Sequence, residues 1–122
     1  MSEREYYLTD VFAEGAYAGN RLATITDATG LSTTEMQNIA LAFNFAETTF
    51  ICGGSAESGF DVRIFTPAAE IPFAGHPTLG TAFLLRHVLH RSDEATVDLN
   101  LVAGKIPVTF SDDGIVWMRQ NQ

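Results

Sequence analysis

From Tyr6 to Phe12 the chain alternates apolar and polar side chains and is rich in β-formers, which predicts a strand, and Leu22 to Thr26 predicts a second beyond a turn at Gly15 to Asn20. The period then changes. Met36, Ile39, Ala40 and Phe43 recur at helical spacing and make one apolar stripe, which must pack on something, most simply a sheet. Ser32-Thr-Thr-Glu35 opens that helix as a capping box, the serine and glutamate side chains each accepting a backbone N–H of the other's residue. Glu47 to Cys52 and Phe60 to Phe65 read as two strands joined by the loop Gly53-Gly-Ser-Ala-Glu-Ser-Gly59, hence an antiparallel pair. From Pro77 to Leu89 the apolar residues Leu79, Ala82, Phe83, Leu84, Leu85, Val88 and Leu89 cover most of a helix's circumference, so this second helix is expected to be buried on nearly all sides. Thr96 to Leu101, Lys105 to Phe110 and Ile115 to Met118 predict three closing strands, with turns at Gly104 and at Asp112-Asp-Gly114. The sum is an α+β fold, a mostly antiparallel sheet around one central helix with a second helix outside. No internal repeat or linker interrupts it, and residues 1–122 read as a single domain.

Composition narrows the function classes. With 46% hydrophobic residues in 122, the chain can build an ordinary core. Fifteen acidic against seven basic side chains give a net charge of −8, which argues against a nucleic-acid partner. The acids are spread along the chain rather than gathered in a tail, as in an acidic cytosolic protein or one adapted to a salt-rich cytoplasm. A single cysteine, Cys52, excludes an internal disulfide and points to a reducing compartment. The first residues carry no signal-peptide pattern, and no apolar run approaches the ~20 residues that span a bilayer. A soluble, cytoplasmic protein without a membrane partner is the expectation.

Two short clusters carry the candidate chemistry. Glu47 stands where a helix hands over to a strand, between Phe45 and Phe50. Partial burial there would raise its carboxyl toward the range of a general acid or base, whereas an exposed strand-end glutamate would be chemically idle. Gly75-His76-Pro77-Thr78 begins the second helix, with Pro77 suited to the first helical position. The N–H groups of Thr78 and Leu79 are expected to point out of that helix end, where an anion is favoured. Gly75 would permit close approach of a ligand to the backbone. His76 is either a capping histidine or a contact for a carboxylate or hydroxyl. Asn20, after Gly19, is a turn residue or a substrate contact, and Asp10 could orient its loop. Cys52, between Ile51 and Gly53, reads as a small core residue. His87 and His90 lie one helical turn apart without a third ligand, so no metal site is assigned.

Asp10-Val-Phe, Gly19-Asn20, Asn44-Phe-Ala-Glu-Thr-Thr-Phe50, Arg63-Ile-Phe-Thr-Pro67, Glu70-Ile-Pro-Phe-Ala-Gly-His-Pro77 and Val116-Trp-Met-Arg-Gln120 occur in this order. Their succession resembles the phenazine-biosynthesis-like (PhzF) isomerases, relatives of diaminopimelate epimerase, over nearly the whole chain. The family's Gly-Asn-Pro differs here, with Arg21 after Asn20. The resemblance implies one of two similar halves, each a sheet wrapped around a helix, with the active site between them and the second half supplying further groups. It implies that Glu47 transfers the proton and that Gly75, His76, Pro77, Thr78 and Asn20 face a small carboxylate-bearing substrate, without a cofactor. Cys52 does not match the catalytic cysteine of diaminopimelate epimerases, which corresponds to the Gly-His-Pro region. Two readings follow: an isomerase half that needs a second half-domain, or a non-catalytic half-domain that forms a homodimer and binds a small acid or a partner.

Overall fold

The computed structural model describes residues 4–11, 20–89, 95–111 and 116–118. In chain order these form β1 (Tyr6–Val11), β2 (Asn20–Ile25), α1 (Thr33–Phe43), β3 (Glu47–Ser55), β4 (Gly59–Phe65), β5 (Glu70–Ile71), α2 (Gly75–Leu84), a π-helical turn Leu85–Leu89, β6 (Thr96–Leu101), β7 (Gly104–Phe110) and β8 (Val116–Met118). The strands make one sheet in the order β1-β2-β3-β4-β6-β7-β8, with β5 added beside β4. Pairing is antiparallel except between β2 and β3, which α1 connects, and between β4 and β6, which α2 connects. The predicted turns at Gly15 to Asn20 and Asp112 to Gly114 fall largely outside the described residues, although β7 and β8 do pair as a hairpin requires.

The alternation of each strand divides the sheet into two buried faces. On the outer face, Met36 and Ala40 of α1 pack with Ile25, Ala28, Phe50 and Phe65, and Ile39 and Phe43 of the same stripe close the margin. The Phe50 and Phe65 rings meet edge to face, 5.3 Å between centroids, beneath the helix. Both capping-box bonds form, Glu35 N–H to Ser32 Oγ at 3.0 Å and Ser32 N–H to Glu35 Oε1 at 2.8 Å. Asn44 ends the helix in the left-handed region at φ 56°.

On the inner face the sheet curls around α2, which touches β1, β2 and β3 on one flank and β6, β7 and β8 on the other. Ala82 and Leu85 lie in one cluster with Ile51, Val62, Ile64, Leu99, Ile106 and Val108. This is the expected α+β architecture: the pattern implies the buried helix, and the resemblance implies the sheet curled around it.

The details differ in four places. The second helix starts at Gly75 rather than Pro77 and turns π-helical at Leu85. Its girth is not wholly covered: Phe83 is 50% and Val88 40% exposed, because the sheet wraps only part of its circumference. β3 runs on to Ser55 through Gly53 and Gly54, with an irregular register after Ile51. Glycine is required at position 54, where φ is 95° and a methyl group would collide with the Gly59 carbonyl. β5 was not foreseen.

Candidate active site

The register of β2 and β3 determines which way Glu47 looks. Thr24 and Thr49 are partners across these strands, their hydroxyl oxygens 2.8 Å apart, and Thr49 Oγ1 lies 2.9 Å from Thr81 Oγ1 on α2. That row therefore faces α2. Two residues earlier on each strand, Leu22 is the partner of Glu47, so Glu47 also belongs to the α2 face. Glu47 is half-buried at the first position of β3, beside buried Leu22, while Phe45 just before it lies beneath the Arg21 guanidinium at 5.8 Å. Across β2, Leu22 is in turn the partner of Thr9, whose hydroxyl is buried with no hydrogen-bond partner among the described residues.

The start of α2 lies toward the same end. β4 ends beside the start of β3, with Phe65 opposite Thr48, and β5 pairs with that same end of β4. α2 begins four residues after β5 and carries the chain back to β6, which is parallel to β4, so α2 runs the same way as β3. From the Thr49–Thr81 contact, β3 therefore leads back to Glu47 and α2 back to His76 toward one end.

Ala74 is the N-cap residue and offers no side-chain hydrogen bond, and the first turn carries no acid. Gly75, His76 and Pro77 are thus the first three helical positions, whose N–H groups have no acceptor within the helix. Pro77 contributes no N–H, so the donors aimed out of this end are those of Gly75 and His76. The expectation for Thr78 and Leu79 is corrected here: the Thr78 N–H donates to Ala74 O at 3.2 Å and its hydroxyl donates to the same carbonyl at 2.6 Å. Helix initiation two residues earlier moves the open donors back by the same amount. Within this first turn of α2, Pro77 and Thr78 are buried, Gly75 is half-buried and His76 is exposed.

Asn20 opens β2, two residues before the partner of Glu47, which places its backbone at the same end of the sheet. Cys52 is half-buried against the α1-side cluster, its thiol 3.5 Å from Phe50 O, and burial pushes its pKa up, against the trend for a nucleophile. His87 lies against Phe83 with ring centroids 4.4 Å apart and planes tilted by 43°, and meets Phe110 edge-on at 5.6 Å; His90 is outside the described residues. No group of three or more His, Cys, Asp and Glu side chains that could hold a metal occurs among the described residues. No helix among them is long and apolar enough to cross a membrane.

Sequence reasoning passed over the threonines of this face, Thr9, Thr24, Thr49 and Thr81. Their only signal was a polar residue recurring where a buried strand should be apolar. It also missed the Arg63–Glu70 pair, joined by two bonds of 2.7 Å, with Arg63 reaching Thr33 at the α1 start; this pair lies on the outer face and braces β5.

Known proteins resemble the chain over the same elements. A family model described as phenazine biosynthesis-like protein matches residues 9–118. An uncharacterised isomerase of Pasteurella multocida is 48% identical over 117 residues, covering 95% of this chain and 40% of that protein. The trans-2,3-dihydro-3-hydroxyanthranilate isomerase of Pseudomonas chlororaphis is 46% identical over 85 residues, 66% of this chain and 29% of that protein. The crystal structure of a PhzF-family phenazine biosynthesis protein from Enterococcus faecalis superimposes with a TM-score of 0.78 at 35% identity, covering 89% of this chain and 41% of the other. The chain thus spans well under half the length of these relatives.

Proposed function

The chain belongs to the phenazine biosynthesis-like (PhzF) family of isomerase-related proteins, and from that premise we propose that residues 1–122 are one half-domain of an isomerase acting by proton transfer on a small carboxylate-bearing substrate. The observation that carries this reading is the common position of Glu47 and the uncapped start of α2, on one face and toward one end of the sheet.

In this reading the Glu47 carboxylate removes a proton from a carbon conjugated to the substrate's carboxylate-bearing system. The C–H electron pair moves into that system, and the anion is held by the Gly75 and His76 N–H groups, the helix dipole and the His76 side chain. The protonated Glu47 then delivers the proton to another carbon, which restores the carboxylate and leaves the composition of the substrate unchanged. Asn20 and the Pro77–Thr78 turn shape the same end. Glu47 supplies the acid/base function itself, so the step calls for no cofactor. A second half-domain closes the cleft, as the length of the relatives supports.

The test uses the full-length protein and trans-2,3-dihydro-3-hydroxyanthranilate, the compound named for the Pseudomonas relatives, in heavy water. Wild type should introduce deuterium, and Glu47→Gln should lower the rate by about 10²- to 10⁴-fold, the usual weight of a general base. Undiminished exchange in the variant removes Glu47 from this role. The exposed Phe83 on α2 and Val88 on the π-helical turn after it favour a second reading, a non-catalytic half-domain that covers this side by pairing with another copy and binds a small acid. Binding with no exchange in wild type would select it.

A further inference from the structure

The inner face holds a hydroxyl chain that the acid/base reading does not use. Thr24, Thr49 and Thr81 are all at most 1% exposed, and their side chains run from β2 through β3 to α2 with contacts of 2.8 and 2.9 Å. Valine has nearly the same shape and would fill these positions without desolvating a hydroxyl, so the polar choice carries a cost that packing alone does not explain. What a hydrogen bond adds is direction. Apolar contacts let a helix slide or roll on a sheet at little cost, whereas a bond of this length holds one residue of α2 against one residue of β3.

The position of the tie is what matters. From Thr81 back to His76 is about 7.5 Å along a helix at 1.5 Å per residue, and from Thr49 back to Glu47 is about 6.6 Å along a strand at 3.3 Å per residue. Both run toward the same end, so the start of α2 and the start of β3 lie at similar distances along their elements from the tie. No cap on Ala74 locates that helix start locally.

We propose that Thr81, held by Thr49 and Thr24, is a positioning residue that sets the height and rotation of the α2 N-terminus relative to Glu47. The proposal deepens the isomerase reading and rests on it for its kinetic consequence, but its structural consequence can be read without any activity.

The experiment compares wild type, Thr81→Val, Thr81→Ser and Thr24→Val as full-length proteins. In amide NMR spectra, Thr81→Val should move the Gly75, His76 and Glu47 resonances together, beyond the immediate neighbours of Thr81. Thr81→Ser, which keeps the hydroxyl, should return them, and Thr24→Val, which cuts the far end of the chain, should move them less. With trans-2,3-dihydro-3-hydroxyanthranilate, Thr81→Val should lower kcat about 10- to 100-fold, the effect of a misplacement near 1 Å at a reacting centre, with KM within about twofold, and Thr81→Ser should restore it. Resonance changes confined to the neighbours of Thr81, or failure of serine to restore the shared shift, overturn the positioning role. If wild type itself shows no turnover while the three resonances move and recover as stated, the isomerase reading fails and the positioning role stands.

Discussion

The two helices lie on opposite faces of one sheet and begin in opposite ways. α1 starts at Ser32, which with Glu35 closes the helix end by two reciprocal bonds and places an acid in the first turn. α2 starts at Ala74, with no side-chain cap and no acid. Their seats differ as well: α1 rests on the dry Phe50–Phe65 ring pair, α2 on apolar residues plus the Thr49–Thr81 bond. A capped end on an aromatic seat is built for stability and gives the Ser32 and Glu35 N–H groups to its own side chains. An uncapped end forgoes up to about 1 kcal/mol of capping energy and leaves its donors open, which the proposed reading uses for a ligand. The contrast separates a helix whose start is closed on itself from one whose start, in that reading, faces the substrate.

Four changes would break or sharpen this contrast. Phe50→Ala removes the aromatic seat of α1 and should cost about 3–5 kcal/mol in urea denaturation, whereas a loss below about 1 kcal/mol would mean that α1 is held by other contacts. Ser32→Ala should cost about 1 kcal/mol, typical for loss of an N-cap, and should speed amide exchange in the first turn of α1 without touching α2. Ala74→Ser supplies the missing cap on an extended backbone of φ −153° and ψ 137°, and should raise stability by about 0.5 kcal/mol while weakening substrate exchange. An unchanged exchange rate would show that the open end of α2 is not used. The smallest effect is on pH dependence. The Ser32 N–H, and then the Ser32 side-chain bond, hold the Glu35 carboxyl below the ordinary glutamate range. Because the folded value is the lower one, the stabilisation is complete above the unfolded value and is lost as pH falls through the folded one. Protection of the α1 first turn, corrected for intrinsic exchange, should therefore fall on acidification below the ordinary glutamate range, with no matching step at α2.

Much of the fold was legible because its signals are local. The capping box and the α1 stripe need only consecutive residues, and the strands β6 and β7 show clear alternation about Gly104. Glu47 and Gly75-His76-Pro77-Thr78 were legible as motifs, and the register brings their elements to one face. What could not be read depends on partners distant in sequence. Gly53 and Gly54 look like loop residues, yet β4 pairs with them and holds them in β3. Glu70 and Ile71 show no periodicity and become a strand only because Ile64 and Phe65 lie opposite. Pro77 is an equally good residue at the first or third helical position, since neither N–H would be bonded, so its presence could not date the helix start. The threonine row looks polar in sequence and becomes interior only when α2 lies on it.

The joint between β4 and β6 has a consequence for the time course of folding. It consists of two register pairs, Phe60 with Leu99 and Asp61 with Asn100, reinforced by the Asn100 amide donating to Asp61 at 3.0 Å and to the Ser58 carbonyl at 3.2 Å. Hairpins such as β3–β4 and β6–β7 can form early, since their strands are neighbours in sequence. The joint closes a loop that contains all of α2, and that entropy must be lost before its few bonds are gained. Until it closes, β5 covers the β4 edge only at Ile64 and Phe65 and the edge at Phe60 and Asp61 has no strand partner, so the interval between synthesis of α2 and arrival of β6 leaves open an edge of the kind that favours aggregation.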